Sequence, residues 1–336
     1  MELGCYWYRK GAEKGYPTAQ YYYGLCLYQG KGVAADPVAG IDWIHRAAIG
    51  GYAGAMVVVG VAYHGGIGGL ALDRYAAYNW FRRAAEAGDP EGQSFAGQCL
   101  LHGDGVEADL LEARLWLLKA ALRLEPAACY ELGKLSDTAV DGDAGWAEAL
   151  AWYRLAAEHG HAGAQRRIGV HYQHGAGVPK DPAEAVRWLY RAALQADAEA
   201  RLRLGQQLLE GEGVPKDERS GFGWIQAAAH QGHAFAVYEL ARCYSFGLGC
   251  PLDPASERKH LLEAARRGLP EAQYTLGCHL RREGSMRSLH LAAYWLRKAA
   301  EQGFPPAQER LREMRRKGEL EGGSKADPDG PDERSA

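Results

Sequence analysis

No apolar run in the 336 residues approaches the roughly 18 that a membrane-spanning helix needs, so no span is expected. Neither sign of charge dominates: 39 basic residues stand against 42 acidic ones, a net charge of -3. That balance supplies no global field for gripping phosphate backbones, which argues against nucleic acid as the main partner. Paired cysteines are missing as well. The seven present (Cys5, Cys26, Cys99, Cys129, Cys243, Cys250 and Cys278) are odd in number, irregular in spacing and mostly set in apolar helical context. Such a pattern fits free thiols in a reducing compartment better than a disulfide framework, and a cytoplasmic setting is expected, or a periplasmic or secreted one if a signal segment lies upstream. Neither a basic segment nor an apolar core precedes Met1-Glu2-Leu3-Gly4-Cys5, so no lipid anchor is expected there.

Catalytic and metal-binding signatures are absent too. There is no Gly-x-Ser-x-Gly, and no cysteine has a histidine and a third orienting group at a recognisable spacing. His171 and His174 form His-x-x-His, with His159 and His161 just before them, but zinc needs further ligands converging on the same side. The Gly-x-Gly pairs are not preceded by strand-like alternation, which a phosphate loop would require. No catalytic residue, metal or cofactor is therefore assigned.

What is present is a repeat. Trp7, Trp43, Trp80, Trp116, Trp152, Trp188 and Trp224 follow one another at a period of about 36 residues, and Trp295 continues the ladder beyond His260. In step with it runs a ladder of small residues: Gly24, Gly60, Gly97, Gly133, Gly169, Gly205, Ala241 and Gly277. Alanines five residues before the small residue, and Leu or Tyr three after it, share one face of a first helix. Gly-x-Gly turns such as Gly175/Gly177 and Gly211/Gly213 end that helix. Asp36, Asp73, Asp109, Asp181, Asp217, Asp253 and Ser288 are placed to cap a second helix, which carries the tryptophan and an Ala-Ala pair. The tryptophans are expected in the core, as stacking repeats bury the apolar faces that no single repeat can bury.

The run Ala164-x(4)-Gly169-x(5)-Gly175-x-Gly177-Val178-x-x-Asp181-x(6)-Trp188-x(3)-Ala192-Ala193 resembles the Sel1-like repeat, a relative of the tetratricopeptide repeat. The resemblance spans about Leu3 to Arg316: a half repeat over 1–15, eight units near 16–51, 52–88, 89–124, 125–160, 161–196, 197–232, 233–268 and 269–303, and a last helix over 304–316. It implies an all-α, right-handed superhelical solenoid serving as a protein-interaction scaffold, and it carries over no catalytic residue. The fourth unit departs from the pattern at 135–146 and the eighth at 281–286. Residues 317–336 have too little apolar surface to offset the entropy of ordering and are expected to form a disordered tail. Because Tyr6 to Gly15 already reads as the second half of a repeat, a longer parent chain is expected.

In such solenoids the first helices line the concave surface, at positions three before and one, four and five after the small residue. Those columns contain Tyr21, Tyr28, His64, Gln98, Tyr130, Arg166, Gln173, His174, Tyr238, Arg242, Phe246, Tyr274, Arg281 and Arg282. Tyrosine and arginine are the residues of buried hot spots and carboxylate recognition. Tyr238, Arg242, Tyr274, Arg281 and Arg282 therefore point to a protein or peptide partner of acidic character; the competing reading pairs these arginines internally, with Glu239 or Glu271. A non-catalytic adaptor is the function expected first. The alternatives are the recruiting or regulatory arm of an enzyme and a cell-envelope or carbohydrate-binding scaffold.

Overall fold

A computed structural model describes residues 2–138 and 143–320, and among them lie α-helices and no strand. The chain divides into two units, residues 1–180 and 181–336. The first holds α1 (Glu2–Glu13), then the pairs α2 (Pro17–Gln29) and α3 (Pro37–Ile49), α4 (Ala53–Gly65) and α5 (Arg74–Glu86), α6 (Pro90–His102) and α7 (Leu110–Ala121), α8 (Pro126–Asp137) and α9 (Asp143–Glu158), and ends with α10 (Ala162–His174). The second opens with α11 (Pro182–Leu194). There follow α12 (Ala198–Glu210) with α13 (Glu218–His230), α14 (Ala234–Phe246) with α15 (Pro254–Arg266), α16 (Pro270–Glu283) with α17 (Met286–Glu301), and α18 (Pro305–Arg316). Within each unit, the two helices of a pair pack on each other and on the next pair in sequence.

Local chemistry accounts for the helix ends. Gly211 sits at φ +77° past the end of α12, and its amide donates to the Gln207 carbonyl. Asp217 then accepts a hydrogen bond from the Ser220 amide at 3.0 Å and opens α13, as Asp73 does for α5 at 2.9 Å. Caps of this kind each contribute about 1 kcal/mol. The last of the expected caps is displaced: Ser285, not Ser288, opens α17 by accepting from the Ser288 amide at 3.1 Å. Ser288 itself is buried one turn inside and donates back to the Ser285 carbonyl. The short eighth unit thus starts its second helix earlier than the period implies.

The seam within each pair is made where the small-residue ladder meets the residue after the tryptophan. A β-carbon at Gly24 would lie 2.6 Å from both the Gly40 carbonyl and Ile44, and one at Gly60 would lie 2.5 Å from the ring of Phe81. Ile44, Phe81, Leu117, Tyr153, Ile225, Leu261 and Leu296 are all buried. This narrows the expectation for the tryptophans: Trp43, Trp80, Trp116 and Trp224 pack against the core from its edge and, like Trp188, stay partly exposed rather than fully enclosed. One helical position is a rotation of about 100°, enough to carry the indole to the flank. There Arg46, Arg83 and Arg191 lie over the rings of Trp43, Trp80 and Trp188 at 4.7, 4.3 and 4.6 Å, and Lys119 lies 4.0 Å over Trp116.

Neighbouring repeats are braced by a recurring contact. Gln93, Gln165 and Gln273 donate from Nε2 to the carbonyls of Ala85, Ala157 and Ala265, on the last turn of the preceding second helix. Each of these carbonyls also accepts the backbone amide three residues on, so the glutamine takes up its second lone pair. Of the region read as a tail, residues 317–320 are described, and Leu320 packs against the core of the second unit. Residues 321–336, and residues 139–142 of the irregular fourth unit, lie outside the described residues.

Candidate functional site

Nine of the groove-column positions, the candidates for partner binding, fall into three groups. Tyr130, Arg166 and His174 belong to the first unit. Tyr130 stacks on His161 at 4.4 Å, and Arg166 is half-buried. His174 is exposed, whereas His171 is buried and donates from Nδ1 to the Ala176 carbonyl at 2.8 Å, with Nε2 3.4 Å from Asp137. His161 caps α10 by accepting the Ala164 amide. His159 donates from Nδ1 to the Leu155 carbonyl at 2.9 Å, so three of the four histidines of that stretch are engaged in separate local contacts.

In the second unit, Arg242 is bound by Glu239, with Nη1 2.9 Å from both carboxylate oxygens, so the internal pairing holds at this position. Burial pushes the Glu239 carboxyl above its usual range, against the opposing pull of Arg242. Phe246 stands 67% exposed at the end of α14. Tyr238 meets Thr275 through their hydroxyls at 3.4 Å.

Tyr274, Arg281 and Arg282 are brought together. They line a cavity of about 730 Å³ between α16, α18 and the residues just after α18, with Thr275, Cys278, His279, Gly284, Leu289, Arg310, Glu313, Lys317 and Glu319. Four cationic side chains, Arg281, Arg282, Arg310 and Lys317, face two carboxylates. Arg281 is the centre of the cluster, its side chain only 13% exposed. It donates from Nε to Glu319 Oε2 at 2.6 Å, and from Nη2 to Glu319 Oε1 at 2.9 Å and Glu313 Oε1 at 3.1 Å. Glu313 is also held by Arg310 at 2.8 Å and Lys317 at 3.1 Å, and Arg310 donates to the Tyr274 hydroxyl at 3.4 Å. Arg282 is exposed and has no ion-pair partner among the described residues.

Arg310, Glu313, Lys317 and Glu319 were missed from sequence. Ala307, buried like Ala272, sets the register of α18 and puts Arg312 in the small-residue column. The positions one and five after it are Glu313 and Lys317. The same columns, carried one helix further, would have found both. Nothing local marks Glu319.

The hydrogen bond from Arg281, and then that from Lys317, hold the Glu313 carboxyl down to about 2 against an ordinary 4.5; Arg281 lowers Glu319 as well. Because the folded value is the lower one, the stabilisation is complete above 4.5 and is lost as pH falls from there toward about 2. The hydrogen-exchange protection of α18, taken relative to the intrinsic rate at each pH, is expected to fall across that window, and the fall should shrink in Arg281→Met. An acid profile identical in the two chains would count against the ion-pair account.

Three of the seven cysteines are shut away from chemistry by burial. Burial raises Cys99 and Cys129 to about 11 and Cys243 to about 12, so these thiols stay protonated at neutral pH and are poor nucleophiles. Among the described residues, no cluster of histidine, cysteine and carboxylates could hold a metal ion, and no helix is long and apolar enough to cross a membrane.

The sequence profile of the Sel1 repeat matches residues 1–16, 17–52, 53–89, 90–123, 126–161, 162–197, 198–233, 234–269 and 270–304. Among solved structures, a protective antigen of uropathogenic Escherichia coli with an SLR fold is 32% identical, with a TM-score of 0.71 over 93% of this chain and 67% of that one. A Sel1 repeat protein from Oxalobacter formigenes is 30% identical, with a TM-score of 0.61 over 73% of this chain and 96% of its own. Chitin synthase regulatory factor 3 of Schizosaccharomyces pombe is 30% identical over 176 residues, which is 50% of this chain and 19% of that protein. The match thus spans about a fifth of that curated relative.

Proposed function

The chain belongs to the Sel1 repeat family, and from that membership we propose that it is a non-catalytic adaptor that holds a partner protein or peptide on the face of its first helices. The anchor is the cavity at the end of the second unit, and the partner group it takes is a carboxylate. One observation carries this reading: Tyr274, Arg281, Arg282, Arg310 and Lys317 converge on a single cavity, with Arg282 exposed beside Arg281. Guanidinium forks beside a tyrosine are suited to acidic side chains. The free state of all seven cysteines supports a cytoplasmic setting.

Titration with a labelled hexaglutamate peptide tests it. Wild type is expected to bind in a salt-sensitive manner, because the contacts are between charges. A chain carrying Tyr274→Ala, Arg281→Ala and Arg282→Ala is expected to bind at least about tenfold more weakly. Equal affinities would remove the site assignment and leave the adaptor role in place. A second reading, the regulatory arm of an enzyme, is favoured by the match to chitin synthase regulatory factor 3. It calls for co-purification with an enzyme whose rate changes on adding this chain; an unchanged rate in the complex would end it.

A further inference from the structure

We propose that Glu319 is a built-in competitor: its carboxylate occupies the acid-binding position on Arg281, and an acidic partner binds by displacing it. The inference rests on reading the cavity as a carboxylate site and adds how access to it is controlled.

The two carboxylates on Arg281 are held differently. Glu313 is part of α18 and is gripped by Arg281, Arg310 and Lys317, so it is a fixed wall of the cavity. Glu319 lies beyond the helix, and Arg281 is its one ion-pair partner among the described residues. It uses Nε and Nη2 of the guanidinium together, one carboxylate oxygen on each, at 2.6 and 2.9 Å. That two-pronged geometry is the one by which arginine recognises a carboxylate from any source. Glu319 therefore shows both where an incoming acidic side chain would sit and what it must remove.

Removal is feasible but opposed. The segment 317–319 is short and tied to the end of α18, so the Glu319 carboxylate is presented at a high effective concentration. Leu320, partly buried against the core of the second unit, holds it in place. A free peptide sees only the fraction of molecules in which Arg281 is open, and its apparent affinity falls by that fraction. Internal occupancy of about nine-tenths weakens a competing ligand about tenfold. Arg282, exposed and unpaired among the described residues, offers the entering acid a first contact that Glu319 does not block.

Fluorescence anisotropy with the labelled hexaglutamate peptide compares wild type, Glu319→Gln and Glu319→Gln combined with Arg281→Met, all full length. The expected result is affinity about tenfold tighter for Glu319→Gln than for wild type, with the gain abolished when Arg281→Met is added. Glu319→Ala repeats the measurement without a polar replacement, and thermal melts confirm that each chain is folded. Wild-type binding that Glu319→Gln and Glu319→Ala leave equal or weaken overturns the competition and spares the carboxylate site. Absence of binding by every chain overturns both.

Discussion

Gly213→Ala is expected to destabilise the second unit by about 3 kcal/mol or more, while Gly211→Ala, two residues away in the same turn, costs about 1–2 kcal/mol. Both glycines have positive φ, +77° and +76°, so alanine is strained at each. The difference lies in what a β-carbon meets. At Gly211 it would come 3.2 Å from the β-carbon of Lys216, a tight contact that a shift of a few tenths of an ångström in the loop relieves. At Gly213 it would run into the backbone carbonyl of Pro182, in the first turn of α11, which cannot move without shifting that helix. The same approach recurs where Gly105 meets Arg74, Gly177 meets Trp146 and Gly249 meets Glu218. In these four turns the second glycine is thus the point where one repeat docks on the helix start of the preceding one. Urea titrations of the two variants, with hydrogen exchange at α11, α12 and α13, check the contrast. Equal losses would mean that backbone strain alone demands glycine at both positions.

Phe81→Ala is expected to cost the first unit about 3–5 kcal/mol and Trp80→Ala only about 1–2 kcal/mol, although tryptophan is the larger side chain. Phe81 is 2% exposed, lies on Gly60 and stacks on Phe95 at 4.7 Å, so its removal leaves a closed cavity. Trp80 is half-buried between His45 at 5.4 Å and the Arg83 guanidinium at 4.3 Å, and its space opens to water when emptied. What it loses is part of its burial and a cation–π contact of about 0.5–1 kcal/mol. Thermal melts of the two variants are sufficient, with Arg83→Met as a control that should cost less than either. A Trp80→Ala loss as large as that of Phe81→Ala would return the tryptophan ladder to the core.

The candidate site was legible in part, for identifiable reasons. Tyr274, Arg281 and Arg282 fell in columns set by the period, and they share one cavity. Arg242 fell in the same columns, yet Glu239, three residues before it on α14, takes up its charge. Column position reports which way a side chain leaves the helix. It does not report whether a neighbour on that helix neutralises it.

The sequence alone determined the period, the helix pairs, the turn glycines and the aspartate caps, because each depends on backbone dihedrals and hydrogen bonds within a few residues. It also determined that small residues make the seam, since their spacing on one helix face is itself local information. Only the tertiary structure decided which of two adjacent residues enters that seam. Trp80 and Phe81 both recur with the repeat, and a rotation of about 100° separates core from flank. Only the tertiary structure, too, brought Glu319 onto Arg281 across 38 residues of sequence, an ion pair that no period or motif encodes. Contacts between distant parts of a chain depend on how whole helices approach one another, and that approach is settled by the packing of all of them together.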